Sequence, residues 1–343
     1  MNRPYDALLL VSFGGPEGRA DVIPFLENVL QGKDVPRERM LAVAEHYYHF
    51  GGVSPINQQN RELLAALKVE FTQHQLPLPL YWGNRNWHPF LADAMRQMRA
   101  DGVQRALAFV TSTFGSYSGC RQYLEDIERA RRQIGDAAPA VDKLRCPFNH
   151  PGFIAATADR VRDALHRVPP EQRTAARLVF TAHSIPVSMA QSSPYESQLQ
   201  EACRLVGDAL QHPDWTLVYQ SRSGPPGQAW LEPDVCDYLR GLRSDAEIRA
   251  AVLVPIGFLS DHMEVIYDLD TVAQRECDSI GLPLVRAATV GTHPAFVAAI
   301  RDLVEERMAS RTIRLTTGTM PPAPDECSRE CCQPPRRRPA FAE

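Results

Sequence analysis

Residues 254–270 read Val-Pro-Ile-Gly-Phe-Leu-Ser-Asp-His-Met-Glu-Val-Ile-Tyr-Asp-Leu-Asp. The apolar run Ala250–Phe258 predicts a buried strand that bends at a glycine and leads into a helix beginning near Asp261. On that helix Glu264 and Asp268 are four residues apart, so both carboxylates lie on one face. This arrangement indicates a cation-binding place at the carboxyl edge of a parallel sheet. The alternative needs no ligand, because acids in a first helical turn also cap the helix and suit its dipole.

The composition is that of an ordinary globular protein. The chain has 343 residues, of which 44% are hydrophobic and 23% charged, and this length allows two domains with separate cores. A net charge of -4 argues against a nucleic-acid partner held by a broad basic surface. No apolar run approaches the roughly 20 residues of a membrane span, and no signal peptide is visible. We therefore expect a cytoplasmic protein.

Strand-like apolar runs alternate with helical patterns along most of the chain. The predicted strands are residues 6–13, 80–84, 105–113, 177–182, 216–221, 250–258 and 282–290, and predicted helices follow most of them. Such alternation is typical of parallel sheets covered by helices on both faces. We predict an α/β fold with two Rossmann-like domains, at residues 1–145 and 146–310, and expect the last helix to pack back towards the first domain. Residues 311–343 are predicted to be a tail rich in proline and cysteine, ordered only if something ties it down.

Two local patterns argue against other kinds of site. Gly14-Gly15 after the first strand is too short for a dinucleotide fingerprint, so a different ligand is expected in the cleft. Three histidines, His88, His150 and His293, each precede a proline at a predicted helix start. Proline suits a first helical turn, so we interpret these histidines as helix-start residues and not as ligands.

His183 falls where the predicted strand 177–182 becomes a loop, in the sequence Thr-Ala-His-Ser-Ile-Pro at 181–186. A lone histidine at such a place is more often a structural hydrogen-bonding residue. However, His183 and Glu264 both follow strands of the same predicted domain, which places them on one rim of one cleft. Imidazole and carboxylate together suit a divalent ion such as Fe(II), and two ligands leave most coordination positions open.

Six motifs together resemble the ferrochelatase family. They are Ser-Phe-Gly-Gly-Pro (12–16), His-Phe-Gly-Gly-Val-Ser-Pro-Ile-Asn (49–57), Gly-Asn-Arg-Asn-Trp (83–87), the 181–186 motif, Tyr-Gln-Ser-Arg-Ser-Gly (219–224), and residues 255–268 of the opening stretch. The resemblance is closest to the coproporphyrin III ferrochelatases of actinobacteria. It implies two Rossmann-like (chelatase-like) domains around a porphyrin cleft, and insertion of Fe(II) into coproporphyrin III on the route to haem.

The resemblance also implies roles for individual residues. His183 and Glu264 match an opposed pair that handles the metal and the protons, meeting across a porphyrin-sized gap, and Asp268 matches an acidic row that leads iron inward. The resemblance further implies that four residues contact the macrocycle or its carboxylates, or line the cleft with aromatic rings. They are Ser54, Tyr123, Phe13 and Trp230.

The chain departs from the family pattern at three places. Phe13 stands where many relatives have tyrosine, Leu30-Gln31 replaces an arginine pair, and Val272 shortens the acidic row. Those arginines are therefore not present to recognise propionates, and Lys33 and Arg37 are the cations nearby.

Three cysteines, Cys327, Cys331 and Cys332, crowd the tail. By resemblance to some ferrochelatases, three C-terminal cysteines and one internal cysteine imply a [2Fe–2S] cluster, which commonly requires four thiolates. We choose Cys146 as the fourth ligand because it lies in a predicted loop. The alternative is a tail with incidental thiols.

Several alternatives remain at this point. The substrate could be protoporphyrin IX, the metal could be cobalt or nickel, or the protein could be a non-catalytic carrier of tetrapyrrole or metal. The expected partners are coproporphyrin III and ferrous iron, with transient contacts to the preceding and following enzymes of the haem pathway. We expect a monomer.

Overall fold

The computed structural model describes residues 4–224, 227–245, 247–309, 313–328 and 330–334. Within these ranges the chain forms two four-stranded parallel sheets flanked by helices. The predicted α/β fold with two helix-covered parallel sheets is confirmed. None of the described helices is both long enough and apolar enough to cross a membrane.

The first sheet is built around a strand with an uninterrupted apolar sequence. Its strands are β1 (Ala7–Ser12), β2 (Leu80–Asn84), β3 (Arg105–Val110) and β4 (Ala140–Lys143), in the order β2-β1-β3-β4. Every residue of β1 is buried. That burial follows from its central position, because a strand with neighbours on both edges and helices on both faces has no side in solvent.

Five α-helices belong to this N-terminal half. They are α1 (Val22–Leu30), α2 (Arg37–His49), α3 (Ile56–Gln73), α4 (Leu91–Ala100) and α5 (Gln122–Ile134). Helices α1 and α2 form a small core of their own, made by Val22, Phe25, Leu26, Met40 and Ala44. They extend the first half beyond the sheet and provide one lip of the cleft described below.

The second sheet repeats the same architecture. Its strands are β5 (Ala176–His183), β6 (Trp215–Gln220), β7 (Ala250–Val254) and β8 (Leu284–Arg286), in the order β6-β5-β7-β8. The helices are α6 (Pro151–Arg167), α7 (Val187–Gln191), α8 (Tyr195–Leu210), α9 (Val235–Leu242), α10 (Met263–Tyr267), α11 (Gln274–Ile280) and α12 (Pro294–Met308).

The predicted elements differ from the structure in defined ways. Helices α2, α3 and α9 and strand β4 were not predicted, and strand β7 ends at Val254 instead of Phe258. Helix α2 has a weak signal because it buries only Met40 and Ala44, and α9 and β4 are short. The helix predicted near His88 begins at Leu91.

A shared core joins the two halves. Helix α12 packs against both α6 and α3, so the last helix touches the N-terminal half. Its Phe296 ring lies 6.1 Å from that of Phe109 on β3 and 6.2 Å from that of Phe153 on α6. The buried core is continuous between the two halves. The predicted domain limits at residues 145 and 310 therefore stay a prediction.

The C-terminal tail is held by contacts with the body of the protein. The buried guanidinium of Arg145 pairs with Glu306 at 2.8 Å and donates to the carbonyl of Leu315 at 2.9 Å. Asn149 donates to the carbonyl of Met320 at 2.8 Å, and the amide of Cys332 donates to the carbonyl of Ser192 at 2.9 Å. The sequence predicts a tail that is ordered only if something ties it down, and these contacts supply that tie for the described residues between 315 and 332. Residues 335–343 lie outside the described part of the chain.

Two of the three histidines at predicted helix starts are N-caps. The Nδ1 atom of His150 accepts from the amide of Gly152 at 3.1 Å, and that of His293 accepts from the amide of Ala295 at 3.3 Å. An accepting Nδ1 requires a neutral ring with its proton on Nε2. For His150 that Nε2 faces Asp302 at 3.8 Å, which is too far for a hydrogen bond.

We expect His150 to make the protein acid-sensitive. Burial, followed by repulsion from Arg145, lowers the pKa of His150 to about 4, against about 6.5 in an unfolded chain. The unfolded state therefore binds the proton first, and up to about 3 kcal/mol of stability is lost as the pH falls from 6.5 towards 4. His150→Asn keeps a capping acceptor but does not titrate, so its free energy of unfolding should fall less steeply. Urea denaturation at several pH values measures this, and parallel profiles for both proteins would contradict it.

Candidate active site and thiol cluster

His183 is the last residue of β5, at the carboxyl edge of the second sheet. Its Nδ1 atom lies 2.5 Å from the carbonyl oxygen of Ser184. A carbonyl only accepts, so Nδ1 carries a hydrogen, and Nε2 of the neutral ring has a free lone pair. The hydroxyl of Tyr195 donates to the backbone carbonyl of His183 at 3.0 Å and fixes the end of the strand.

Glu264 comes to the same place from β7. After that strand the chain turns at Gly257, where an added Cβ would lie 2.7 Å from Cα of Ala182. Only glycine allows this close approach, which brings the loop before α10 against the end of β5. Glu264 is in the first turn of α10, which is capped by Nδ1 of His262, accepting from the Glu264 amide at 3.2 Å. The predicted cap, Asp261, instead pairs with Arg286 at 2.7 Å.

The imidazole and the carboxylate lie side by side. Nε2 of His183 is 3.8 Å from Oε2 of Glu264, and both side chains are partly open to solvent. A flat macrocycle in van der Waals contact on both faces needs about 7 Å between the flanking atoms. The structure therefore differs from the expectation of an opposed pair across a porphyrin-sized gap. Both groups belong to one wall, which a ring would approach from a single side.

Asp268 lies one helical turn beyond Glu264 and is more enclosed. The hydroxyl of Ser221 contacts its Oδ2 atom. Burial, with a smaller contribution from the charge of Glu264, raises the pKa of Asp268 to about 6, although Ser221 works in the opposite direction. Val272 is exposed further along the same segment, so the described acidic row consists of Glu264 and Asp268.

The facing wall comes from the N-terminal half and contains a stacked cation. The Arg85 guanidinium lies 4.6 Å from the centre of the Tyr123 ring and 5.9 Å from that of Phe13. It also contacts Asp126 in an almost fully buried ion pair. Phe13 is 36% exposed, whereas Tyr123 is only 5% exposed, so Arg85 and Phe13 form more of the accessible surface. Sequence reasoning missed Arg85, although it lies inside the Gly-Asn-Arg-Asn-Trp motif.

The other two predicted substrate contacts are placed differently. Ser54 is 4% exposed and packs under Gly15, where an added Cβ would lie 2.7 Å from the Ser54 Cβ. Trp230 pairs with Pro186 through a backbone bridge, which brings it beside the loop that follows His183. Trp230 thus borders the site, whereas Ser54 supports the loop after β1.

Several contacts join the two halves around the cleft. The His46 ring of α2 stacks on Tyr267 of α10 with centroids 3.8 Å apart, and Arg39 donates to the carbonyl of Ser223 at 2.8 Å. A polar pocket of about 410 Å³ opens beside this stack. A larger pocket of about 890 Å³ lies between α3 and residues 76–80, next to the amino end of β2 in the first sheet, and His183 is not among its lining residues.

Five thiols gather where the tail meets the body. The thiols of Cys146, Cys327 and Cys332 lie near enough to that of Cys120 to lower its pKa, and Cys331 Sγ lies 3.4 Å from Cys332 Sγ. We call these five residues the thiol cluster. The neighbouring thiols lower the pKa of Cys120. The pKa of Cys146 is raised, first by the thiol of Cys120 and then by burial.

The donor set of the thiol cluster suits an iron–sulfur centre, since it offers more than four sulfur ligands in one place. The Cys331 and Cys332 sulfurs lie side by side, however, and no set of three or more His, Cys, Asp or Glu side chains in the described ranges is already arranged as a metal site. Sequence reasoning missed Cys120. Its pKa responds to two tail thiols, those of Cys327 and Cys332, whereas the pKa of Cys146 responds to Cys120 and Lys143.

The fold and the site define a chelatase-like α/β protein. The solved structure of SirB from Bacillus subtilis with Fe3+ aligns with a TM-score of 0.56 at 14% sequence identity, covering 89% of this chain and 96% of that chain. At this identity the likeness concerns the fold alone.

The sequence comparisons identify the family. The ferrochelatase family model matches residues 5–308. A protein of Rhodopirellula baltica named ferrochelatase is 56% identical over 339 residues, covering 99% of this chain and 96% of the relative. A coproporphyrin III ferrochelatase of Streptomyces griseus is 49% identical over 362 residues, with the same coverages. The chain belongs to the ferrochelatase family, and the predicted resemblance is confirmed.

We expect the charge of Asp268 to control the use of ferrous iron. With a pKa near 6, the carboxylate is charged at pH 7.5 and mostly protonated at pH 5.5. One lost charge near the metal path should raise the half-saturating Fe(II) concentration roughly fivefold, equivalent to about 1 kcal/mol. Asp268→Asn should show the higher value at both pH values, while Asp278→Asn on α11 serves as the control. If Asp268→Asn kept the wild-type pH dependence, Asp268 would not be the group concerned.

Proposed function

We propose that the protein inserts Fe(II) into coproporphyrin III to give coprohaem, with release of two pyrrole protons. The observation that carries this proposal is the free Nε2 lone pair of His183 beside the Glu264 carboxylate, at the rim of a cleft between two chelatase-like halves. Relatives named coproporphyrin III ferrochelatase align over nearly the whole chain and support the choice of substrate.

The proposed chemistry is a balanced exchange of charge. Metallation replaces two N–H protons with one divalent ion, so two protons must leave the macrocycle as iron enters. Nε2 of His183 accepts the two protons in succession through its free lone pair and releases each to solvent, to which the side chain is partly open. The resulting imidazolium is stabilised by Glu264, whose carboxylate lies 3.8 Å away. Asp268 and Glu264 supply negative charge along the approach of the ion.

The site also faces the N-terminal half electrostatically. Burial lowers the pKa of Lys33, repulsion from Arg85 lowers it further, and the charge of Glu264 opposes both. Burial and then the charge of Glu264 raise the pKa of Tyr47. Lys33 lies in the polar loop 31–34 at the end of α1. A polar lip with a cation suits a porphyrin with four carboxylates better than a more apolar one, which supports coproporphyrin over protoporphyrin IX.

Substrate choice is tested by anaerobic assay of the wild-type protein with coproporphyrin III and protoporphyrin IX side by side, followed by absorbance. We expect a higher kcat/KM with coproporphyrin III. A preference for protoporphyrin IX would favour the alternative ferrochelatase activity, and binding without metallation of either porphyrin would indicate a carrier.

His183→Ala should abolish insertion while porphyrin still binds, because it removes the proton acceptor but leaves the aromatic and cationic wall intact. Loss of general-base catalysis alone is worth roughly 100- to 10,000-fold in rate. Porphyrin fluorescence measures binding, and the insertion assay measures turnover. His166→Ala, on the exposed face of α6, is the matched control. Near-normal turnover of His183→Ala would remove the assignment.

We further propose that the thiol cluster holds a [2Fe–2S] centre through Cys120, Cys327, Cys331 and Cys332. In this proposal Cys120 replaces Cys146 as the internal ligand, since two tail thiols, Cys327 and Cys332, act on the pKa of Cys120, whereas the pKa of Cys146 responds to Cys120 and Lys143. When bound, such a centre would crosslink the tail to the π-helical segment Tyr117–Arg121, which leads into α5, and add to the hydrogen bonds already described.

Cys120→Ala should therefore abolish the brown colour and the visible absorbance of the purified protein, and should lower its iron and sulfide content. Cys203→Ala, which removes a buried thiol in α8 outside the thiol cluster, should leave both unchanged. Equal iron and sulfide contents in the two variants would contradict the role of Cys120, and a colourless wild type after anaerobic reconstitution would contradict the cluster.

We propose a cytoplasmic location, which fits eight free cysteines among the described residues. Transient contacts with the preceding and following enzymes of the haem pathway, and a monomeric state, stay predictions.

A further inference from the structure

We propose that Gln220 is a positioning residue that fixes His183 and Glu264 relative to each other. Its backbone holds the chain that follows His183, and its side chain holds the chain at Glu264. The inference rests on the proposed insertion of iron and adds to it a residue that is only 1% exposed and therefore acts through the other two.

The first contact is made by the backbone of Gln220. Gln220 is the last residue of β6 and lies directly opposite His183, the last residue of β5, in the parallel register of the two strands. Its carbonyl accepts a hydrogen bond from the amide of Ser184 at 2.7 Å. Ser184 is the residue whose own carbonyl accepts from Nδ1 of His183. The end of β6 therefore fixes the backbone on which the orientation of the imidazole depends.

The second contact is made by the side chain of Gln220. Its Nε2 atom donates to the backbone carbonyl of Glu264 at 3.0 Å. On the other side of the same residue, Nδ1 of His262 accepts from the Glu264 amide at 3.2 Å. Glu264 is thus held through both of its backbone polar groups, and the position of its carboxylate follows from them. Because the bond from Gln220 is shielded from water, it constrains the backbone more than an exposed one would.

The turn after β6 supports the same role. Ser221 has a φ of 63°, in the left-handed region that residues other than glycine seldom occupy. In this conformation its hydroxyl contacts the carboxylate of Asp268. Two successive residues at the end of β6 therefore hold the segments of all three proposed site residues, and a strand end is a rigid place from which to do so.

The separation that Gln220 fixes matters for the proposed chemistry. Nε2 of His183 and Oε2 of Glu264 are 3.8 Å apart, close enough for the carboxylate to stabilise the imidazolium. A displacement of about 1 Å at a catalytic group can reduce a rate roughly 100-fold. Porphyrin binding is assigned to the facing wall, which belongs to the N-terminal half. We therefore expect Gln220 to affect the rate of insertion and not the binding of porphyrin.

The test compares the wild type with Gln220→Leu and Gln198→Leu by anaerobic insertion of iron into coproporphyrin III. Gln220→Leu roughly keeps the size of the side chain but removes the donor. Its kcat should fall about 10- to 100-fold, whereas KM for the porphyrin, and its binding measured by fluorescence, should stay unchanged. Gln198 is the matched control, because it is also buried and its Oε1 atom accepts from the amide of Gly115 at 2.7 Å, outside the site. Gln198→Leu should lose comparable stability but keep its kcat.

A second variant tests the donor itself. The side chain in Gln220→Glu can donate to the Glu264 carbonyl only while it is protonated. The carboxylates of Glu264 and Asp268 and the imidazole of His183 titrate beside it, so the kcat of the variant is divided by that of the wild type at the same pH. This ratio should rise as the pH falls, whereas the same ratio for Gln220→Leu should stay constant.

The outcomes separate this inference from the proposed function. A wild type that inserts iron into neither porphyrin overturns both. With an active wild type, the inference alone is overturned if Gln220→Leu keeps its kcat, if it weakens porphyrin binding as much as kcat, or if Gln198→Leu loses kcat to the same extent. If Gln220→Leu does not fold, Gln220→Glu decides the question. A ratio that does not change with pH overturns the inference, and one that rises towards acid supports it.

Discussion

The hydrogen bond from Nδ1 of His183 to the carbonyl of Ser184 determines which ring nitrogen is available for chemistry. Because the carbonyl can only accept, the neutral ring presents its lone pair at Nε2, towards Glu264. The bond depends in turn on the exit of β5, which is held by Tyr195 and by the close approach of the chain at Gly257. The proton acceptor of the proposed reaction is thus oriented by a hydrogen bond to the backbone, at a strand end that Tyr195 and Gly257 hold in place.

Placing both functional groups on one wall changes how the cleft is expected to work. A macrocycle cannot lie between side chains 3.8 Å apart, so iron and protons would exchange on the ring face nearest the imidazole. The facing wall then has a different task, for which the stacked Arg85 and the polar lip at Lys33 are suited. The shared core around α12 supports these separate tasks of the two walls, because α12 packs against both halves and so fixes one relative to the other.

The tail and the thiol cluster are built on the same α12 region. Arg145, Glu306 and Asn149 hold the chain beyond α12 by hydrogen bonds and a buried ion pair, so the cysteines reach Cys120 from an already ordered segment. An iron–sulfur centre there would add a crosslink to existing contacts. Stability of the tail therefore comes from polypeptide contacts, whether or not a cluster is bound.

Apolar runs and short motifs are local properties of a chain. They were therefore enough to predict the parallel sheets, the positions of His183 and Glu264 after strands, and the family. The spacing of Glu264 and Asp268 also follows from local helix geometry. Three arrangements could not be predicted in this way. They are the side-by-side placement of His183 and Glu264, the burial of Tyr123 behind Arg85, and the proximity of Cys120 to Cys327 and Cys332. They bring together residues up to about two hundred positions apart, and such contacts are set by how helices and strands pack, which no local pattern records.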